Sequence, residues 1–324
     1  MSSQREDSIP HELRTAAEPR QNRLYTVQIW HIEQVNPTVR LLRLAFPSET
    51  QTKPEETEEP FTFLPGQWLD VHIPSIPQAG GFTITSTPAD AQVLPSPGLP
   101  TDPTCEEEPD PPPINPQGRP PYVELAVQHS PASAPAAWLW RAREAILGKH
   151  LSVRVGGSFV WPPTGLDPNE ITNVVFVAGG VGINPLISIL SHLNNTSTAH
   201  RDIHFLYSSR LGPSTSLDQL LFLPRLRAIV ASQRESHRLH ISLELFLTDT
   251  PAGSLPASSP SSDLTIHHRR VSEADLRRVV SREGSVRAMD TVCYVCGPPA
   301  MTDGCVASLE QWLDERRVIC EKWW

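Results

Sequence analysis

The run Val174-Val175-Phe176-Val177-Ala178-Gly179-Gly180-Val181-Gly182-Ile183-Asn184-Pro185 takes a buried-strand pattern through glycines straight into a helical pattern. That order suits a dinucleotide. Glycines lack the β-carbon that would keep backbone away from a pyrophosphate, and the first turn of a helix offers unpaired N–H groups to an anion. Gly179, Gly180 and Gly182 are the close-approach positions, and Pro185 fits the first helical turn. Proline stands where the GxGxxG fingerprint has its third glycine, so a purely structural strand-to-helix turn remains an alternative.

A second run, Cys293-Tyr294-Val295-Cys296-Gly297-Pro298-Pro299-Ala300-Met301, again ends an apolar strand in a glycine-proline turn before a helical pattern. Open α/β sheets bind ligands at such carboxyl ends, which makes Cys296, Gly297 and Pro298 binding positions. Cys293 and Cys296 have a spacing that suggests a metal or redox pair, but residues three apart in a strand point to opposite faces. No second cysteine pair or clustered histidine completes a zinc site, so no metal is expected and Cys293 reads as core. Ser208, Ser209 and Arg210 follow another strand of this half, where an adenosine ribose would lie. Arg210 suits a 2′-phosphate and Ser209 a free 2′-hydroxyl, which leaves NAD and NADP both open.

The elements that must position these residues change character midway. From residue 24 to 155, short stretches alternate apolar and polar residues as half-buried strands do: Leu69, Val71 and Ile73, then Val123, Leu125 and Val127, then Leu151, Val153 and Val155. This half reads as an antiparallel β-barrel without long helices. After residue 171 buried strands at 173–178, 203–207, 241–247 and 292–295 alternate with helical patterns at 183–193, 216–230, 273–280 and 301–316. Parallel βαβ units, a Rossmann-like α/β domain, have that order. The expected organisation is a disordered polar tail over residues 1–21, a barrel over 22–165, and an α/β domain over 166–324. A proline-dense acidic insertion, expected to be disordered, interrupts the barrel at about residues 90–121. The segments 53–60 and 250–262 read as loops.

With 324 residues the chain is long enough for two domains, each with its own core. A net charge of −9 gives no general attraction to phosphate backbones or anionic lipid, so neither nucleic acid nor a membrane surface is an expected partner. No apolar run approaches the roughly 18 residues of a membrane span. The first twenty residues mix Arg5, Arg14 and Arg20 with Glu6, Asp7, Glu12 and Glu18, unlike a secretory signal. Five cysteines make a sparse, odd set that suits reduced thiols. The cytoplasm is the expected compartment, with a mitochondrial address as the alternative.

The glycine run, about a hundred residues, and then Cys296-Gly297-Pro298-Pro299-Ala300-Met301 resemble the nicotinamide half of the ferredoxin–NADP⁺ reductase superfamily. Gly80-Gly81-Phe82-Thr83-Ile84-Thr85-Ser86 is similar to that family's flavin motif RxYSxxS, and Pro65-Gly66-Gln67 precedes a strand as the barrel half requires. The resemblance covers residues 22 to 324 outside the insertion. It implies FAD and NAD or NADP as cofactors, with Phe82 against the isoalloxazine, Thr83 near its reactive edge and Ser86 on the phosphate side. Gly80 occupies the place of the family's arginine; by the same resemblance Ser130, Ser133 and the start of a helix near residues 134–137 receive the pyrophosphate. Cys296 lies beside the nicotinamide, and with Thr83 is the implied catalytic position. Trp324, following Trp323, covers the flavin or competes with nicotinamide for its face, with a hydrophobic terminus tucked into the core as the alternative, and Glu321 is either a proton relay or an exposed carboxylate. The implied reaction is hydride transfer from NAD(P)H to FAD, with electrons passed to an unidentified acceptor, a protein among the candidates. The rival reading is a nucleotide-binding regulatory module without productive flavin.

Overall fold

The computed structural model describes residues 10–46, 60–92, 120–212, 216–249 and 264–322. The body of the proline-dense insertion, most of the 53–60 and 250–262 segments, Trp323 and Trp324 lie outside the described residues.

Six antiparallel strands build the first half: β1 (Tyr25–Asn36), β2 (Val39–Ala45), β3 (Trp68–His72), β4 (Gly80–Thr83), β5 (Tyr122–Gln128) and β6 (His150–Gly156). Their order is β4-β3-β6-β1-β2-β5, and a bridge between Ile84 and Leu125 joins the two end strands into a barrel. That bridge brings the two edges of the sheet together. The alternating residues point inward as expected: Leu69, Val71, Val123, Leu125, Val127, Leu151, Val153 and Val155 form one core with Val27, Ile29, Leu42 and Leu44. A short helix, α2 (Ala134–Leu139), adds Ala136 and Leu139 to that core.

Parallel strands β7 (Asn173–Gly179), β8 (Arg201–Ser209), β9 (Leu239–Leu247), β10 (Thr265–His267), β13 (Thr291–Gly297) and β14 (Val318–Lys322) form the second sheet, in the order β10-β9-β8-β7-β13-β14. The chain winds outward from β7 to β10, then returns to the other side of β7, so the winding reverses between β7 and β13. That reversal opens the crevice in which open α/β sheets hold ligands. Helices α4 (Ile183–Thr196) and α5 (Leu223–Ser236) cover one face, while α6 (Glu273–Val279) and α7 (Pro299–Leu309) cover the other.

Three expectations change. The helix expected at 216–230 breaks because Phe222 adopts a left-handed conformation at φ 60°, and α5 starts afresh at Leu223 with Pro224 in its first turn. The helix expected at 301–316 stops at Leu309. Val318–Lys322 then forms a sixth strand paired along β13, from Cys293↔Val318 to Gly297↔Lys322. Its sequence runs from apolar Val318-Ile319-Cys320 to polar Glu321-Lys322, without the alternation of a half-buried strand. Finally, the second part of the expected polar tail lies on the barrel. Helix α1 (His11–Arg14) packs against β4, Arg20 bridges to Gly156, and the Gly157 N–H donates to the Pro19 carbonyl at 3.0 Å.

The reason for that docking is Asp70, which points outward from β3 yet is fully buried. A buried carboxylate requires partners. His11 Nε2 lies 3.1 Å from one oxygen, while Arg20 and Arg154 donate to the other at 3.0 and 2.7 Å. Burial alone would raise the Asp70 carboxyl, but the hydrogen bonds from His11, Arg154 and Arg20 hold it well below the usual carboxylate range.

Candidate functional site

The glycine loop sits at the carboxyl end of β7, beside β13, and its three glycines have three different surroundings. Gly180 is exposed at φ +55°, and a β-carbon there would meet nothing within 4 Å. It presents bare backbone outward in a conformation that L side chains rarely adopt. Gly182 instead faces inward: a β-carbon would lie 2.2 Å from the Cys296 carbonyl oxygen. Its role is to let the two strand ends touch, so the ligand-approach reading fails at this position. At Gly179 the β-carbon space is filled by Pro298 Cδ and the Met301 thioether. Pro185 is buried in the first turn of α4, where its missing N–H leaves no broken bond.

Cys296 is fully buried at the end of β13, and Gly297 packs against Gly179 and Met301. Pro298 is exposed at the mouth of the same crevice and caps α7. Cys293 is also fully buried, but packs on the opposite face of the sheet from Cys296, and burial pushes its thiol far above the ordinary range. No group of three or more metal-ligating side chains exists among the described residues. Ser209 and Arg210 lie at the end of β8; Arg210 reaches Asp249, just beyond β9, at 3.3 Å. An acidic residue thus stands beside Arg210 at this edge of the sheet.

On the barrel, Gly80 and Phe82 share one side of β4. A β-carbon at position 80 would lie 2.5 Å from the Phe82 ring and 2.6 Å from Pro135 Cβ. On the other side a β-carbon at Gly81 would overlap the His11 ring, at 2.0 Å. Thr83 is buried beside Trp68, while Phe82 is half-buried. The Ser133 hydroxyl accepts the Ala136 N–H at 3.4 Å, and its carbonyl accepts the Ala137 N–H at 2.8 Å. Pro135 has no N–H at all. Two N–H groups in the first turn of α2 are thus taken by Ser133, and at Gly80 there is no room for the side chain that would grip a flavin's phosphates. Phe82, partly packed on the barrel core, is the half-buried aromatic of this strand end, and could meet a flavin ring with its exposed part.

Ser86 turns away from any such ligand. Its hydroxyl accepts the Glu124 N–H at 3.0 Å, and its carbonyl accepts the Ser188 hydroxyl of α4 at 2.7 Å. The neighbouring Thr85 carbonyl and the buried Glu124 carboxylate both accept from Arg225 of α5, at 3.3 and 2.7 Å, and Arg43 holds the other Glu124 oxygen. Asn184 donates to the Ala126 carbonyl at 3.1 Å. The turn after β4 is thus fastened to the second half of the molecule. Sequence reading missed Asn184, Ser188, Glu124 and Arg225, although the first two are polar residues one turn apart in the apolar first half of α4, a visible stripe.

Comparison with known proteins agrees with this geometry. Residues 176–307 match the oxidoreductase NAD-binding domain. Among solved structures, the CS-b5R domains of human Ncb5or in an NAD⁺ form superpose with a TM-score of 0.60 at 17% identity, over 92% of this chain and 69% of that one. A ferredoxin NADP⁺ reductase from Neisseria gonorrhoeae with bound FAD and NADP gives 0.59 at 12% identity, over 93% and 99%. These show the two-domain ferredoxin-reductase fold. A protein of Danio rerio, oxidoreductase NAD-binding domain-containing protein 1, is 31% identical over 322 residues, 97% of each chain. On that likeness over nearly its whole length, the chain belongs to the oxidoreductase NAD-binding domain-containing protein 1 family.

Proposed function

We propose that this chain is an NAD(P)H-dependent oxidoreductase whose α/β half holds the dinucleotide and whose barrel half faces an electron-accepting flavin ring. The observation that carries this reading is Gly180: bare, outward-facing backbone at the point where strand order reverses, with a helix starting behind it. Gly179, Gly182 and Pro185 shape that loop. Cys296, Gly297 and Pro298 floor the nicotinamide end of the crevice, and Ser209 and Arg210 lie at the adenosine end. Arg210 is already paired with Asp249, and a carboxylate at that strand end accepts a ribose 2′-hydroxyl while repelling a 2′-phosphate, so NADH is the preferred donor. A flavin, when bound, accepts electrons in pairs and releases them singly. Phe82 and Thr83 are the groups positioned to orient its ring. The structures named above with bound NAD⁺, NADP and FAD support the same pairing of ligands.

Calorimetric titration tests the site. NADH should bind more tightly than NADPH, and Gly180→Val should lower NADH affinity by roughly tenfold or more, since a branched side chain there obstructs a phosphate and strains a left-handed residue. Unchanged NADH affinity in a folded variant would remove the loop from the site. The second reading, a nucleotide-binding module without flavin, draws on the filled space at Gly80; it requires NADH binding without any flavin binding.

A further inference from the structure

The places in the barrel half where the resemblance puts the flavin phosphates are occupied by the protein itself, and we infer that the flavin is recognised by its ring system alone. Riboflavin, its monophosphate and the dinucleotide then bind alike and exchange freely. This selectivity rests on the oxidoreductase reading above and adds to it the part of the ligand that is recognised.

Four observations converge. At position 80 there is neither a side chain to grip a phosphate nor room for one, because the Phe82 ring and Pro135 fill the space. At position 81 the His11 ring fills the other side, and its Nε2 lies 3.1 Å from the Asp70 carboxylate rather than facing a ligand. Helix α2 has only six residues; its first turn spends the Ala136 and Ala137 N–H groups on Ser133, and Pro135 has none to offer. The Ser86 hydroxyl is buried and accepts from Glu124. Phosphate oxygens need charge-assisted or backbone donors; among the described residues, positions 80 and 81 supply no side-chain donor, and two N–H groups of the first turn of α2 are already bonded. Phe82, by contrast, is only half-buried against the barrel core, so part of its ring stays exposed.

Each hydrogen bond to a charged group strengthens binding by roughly tenfold or more, so even a two-point phosphate grip separates the dinucleotide from riboflavin by at least about a hundredfold. Without one, the three dissociation constants fall within about tenfold of each other. The experiment is calorimetric titration of the full chain, stripped of small molecules, with riboflavin, riboflavin monophosphate and FAD, alongside NADH. Constants within that span are the expected result, and Phe82→Ala, checked for folding by its thermal transition, should weaken all three to the same degree. FAD binding more than about a hundredfold tighter than riboflavin overturns the inference while leaving the oxidoreductase reading intact. A Phe82→Ala effect confined to FAD overturns it too. Binding of NADH with no binding of any flavin sinks both.

Discussion

Each half of the molecule carries a cluster of glycines at a strand end, and the two clusters do opposite things. In the α/β half, Gly180 opens to solvent while Gly179 and Gly182 close inward, so packed glycines hold one bare residue in place. In the barrel half, Gly80 and Gly81 both make room for the protein's own rings, Phe82 on one side and His11 on the other. The lack of a side chain admits a ligand only where nothing from elsewhere in the chain has taken the space. A glycine-rich motif is therefore a statement about room, and the tertiary neighbours decide who uses it.

The contrast can be broken by filling each space in turn. Gly182→Val should have the largest effect: the added atoms meet a backbone carbonyl that cannot swing aside, and destabilisation of at least about 3 kcal/mol is expected in chemical denaturation. A well-folded Gly182→Val variant that merely loses nucleotide would return this glycine to the ligand. Gly81→Ala should cost less, about 1–3 kcal/mol, because the His11 ring can leave with its short helix. Proteolysis should then cut between residues 10 and 21 in this variant and spare them in the parent.

A smaller effect separates the halves by pH. Burial between β8 and β9 lowers the His204 imidazole from 6.5 to about 4, against the opposing charges of Asp202 and Glu244 and with help from Arg278 and His240. The folded state keeps it neutral while the unfolded chain takes up a proton. Its contribution to stability is therefore present above pH 6.5 and lost as the pH falls towards about 4. Asp70 in the barrel has the depressed pKa of a paired carboxylate, so its contribution is lost only below the ordinary carboxylate range. Thermal transitions recorded from pH 7 downward should weaken with a slope that His204→Gln flattens. An identical slope in the variant would place the acid sensitivity elsewhere.

Much of the architecture is legible in the chain because its signals are local. Alternation at Leu69-Val71 and Val123-Leu125 specifies which face of a strand is inward, and the apolar runs through Val174-Val177 and Val292-Val295 mark strands buried on both sides. Strand β14 escaped because its five residues pass from apolar to polar without alternating; it is a strand by virtue of pairing with β13. Arg225 and Glu124, 101 positions apart, gave no local sign of meeting across the two halves.

By itself the sequence determined the two-part plan, the order of strands and helices, and the glycine loop between a buried strand and a helix, since hydrophobic period and backbone freedom act over a few residues. Only the tertiary structure decided which glycine stays open, that residues 10–20 plug the barrel's flank, and that the turn after β4 is held by the opposite half. Those outcomes depend on contacts between distant segments, and contacts of that kind leave no period to read.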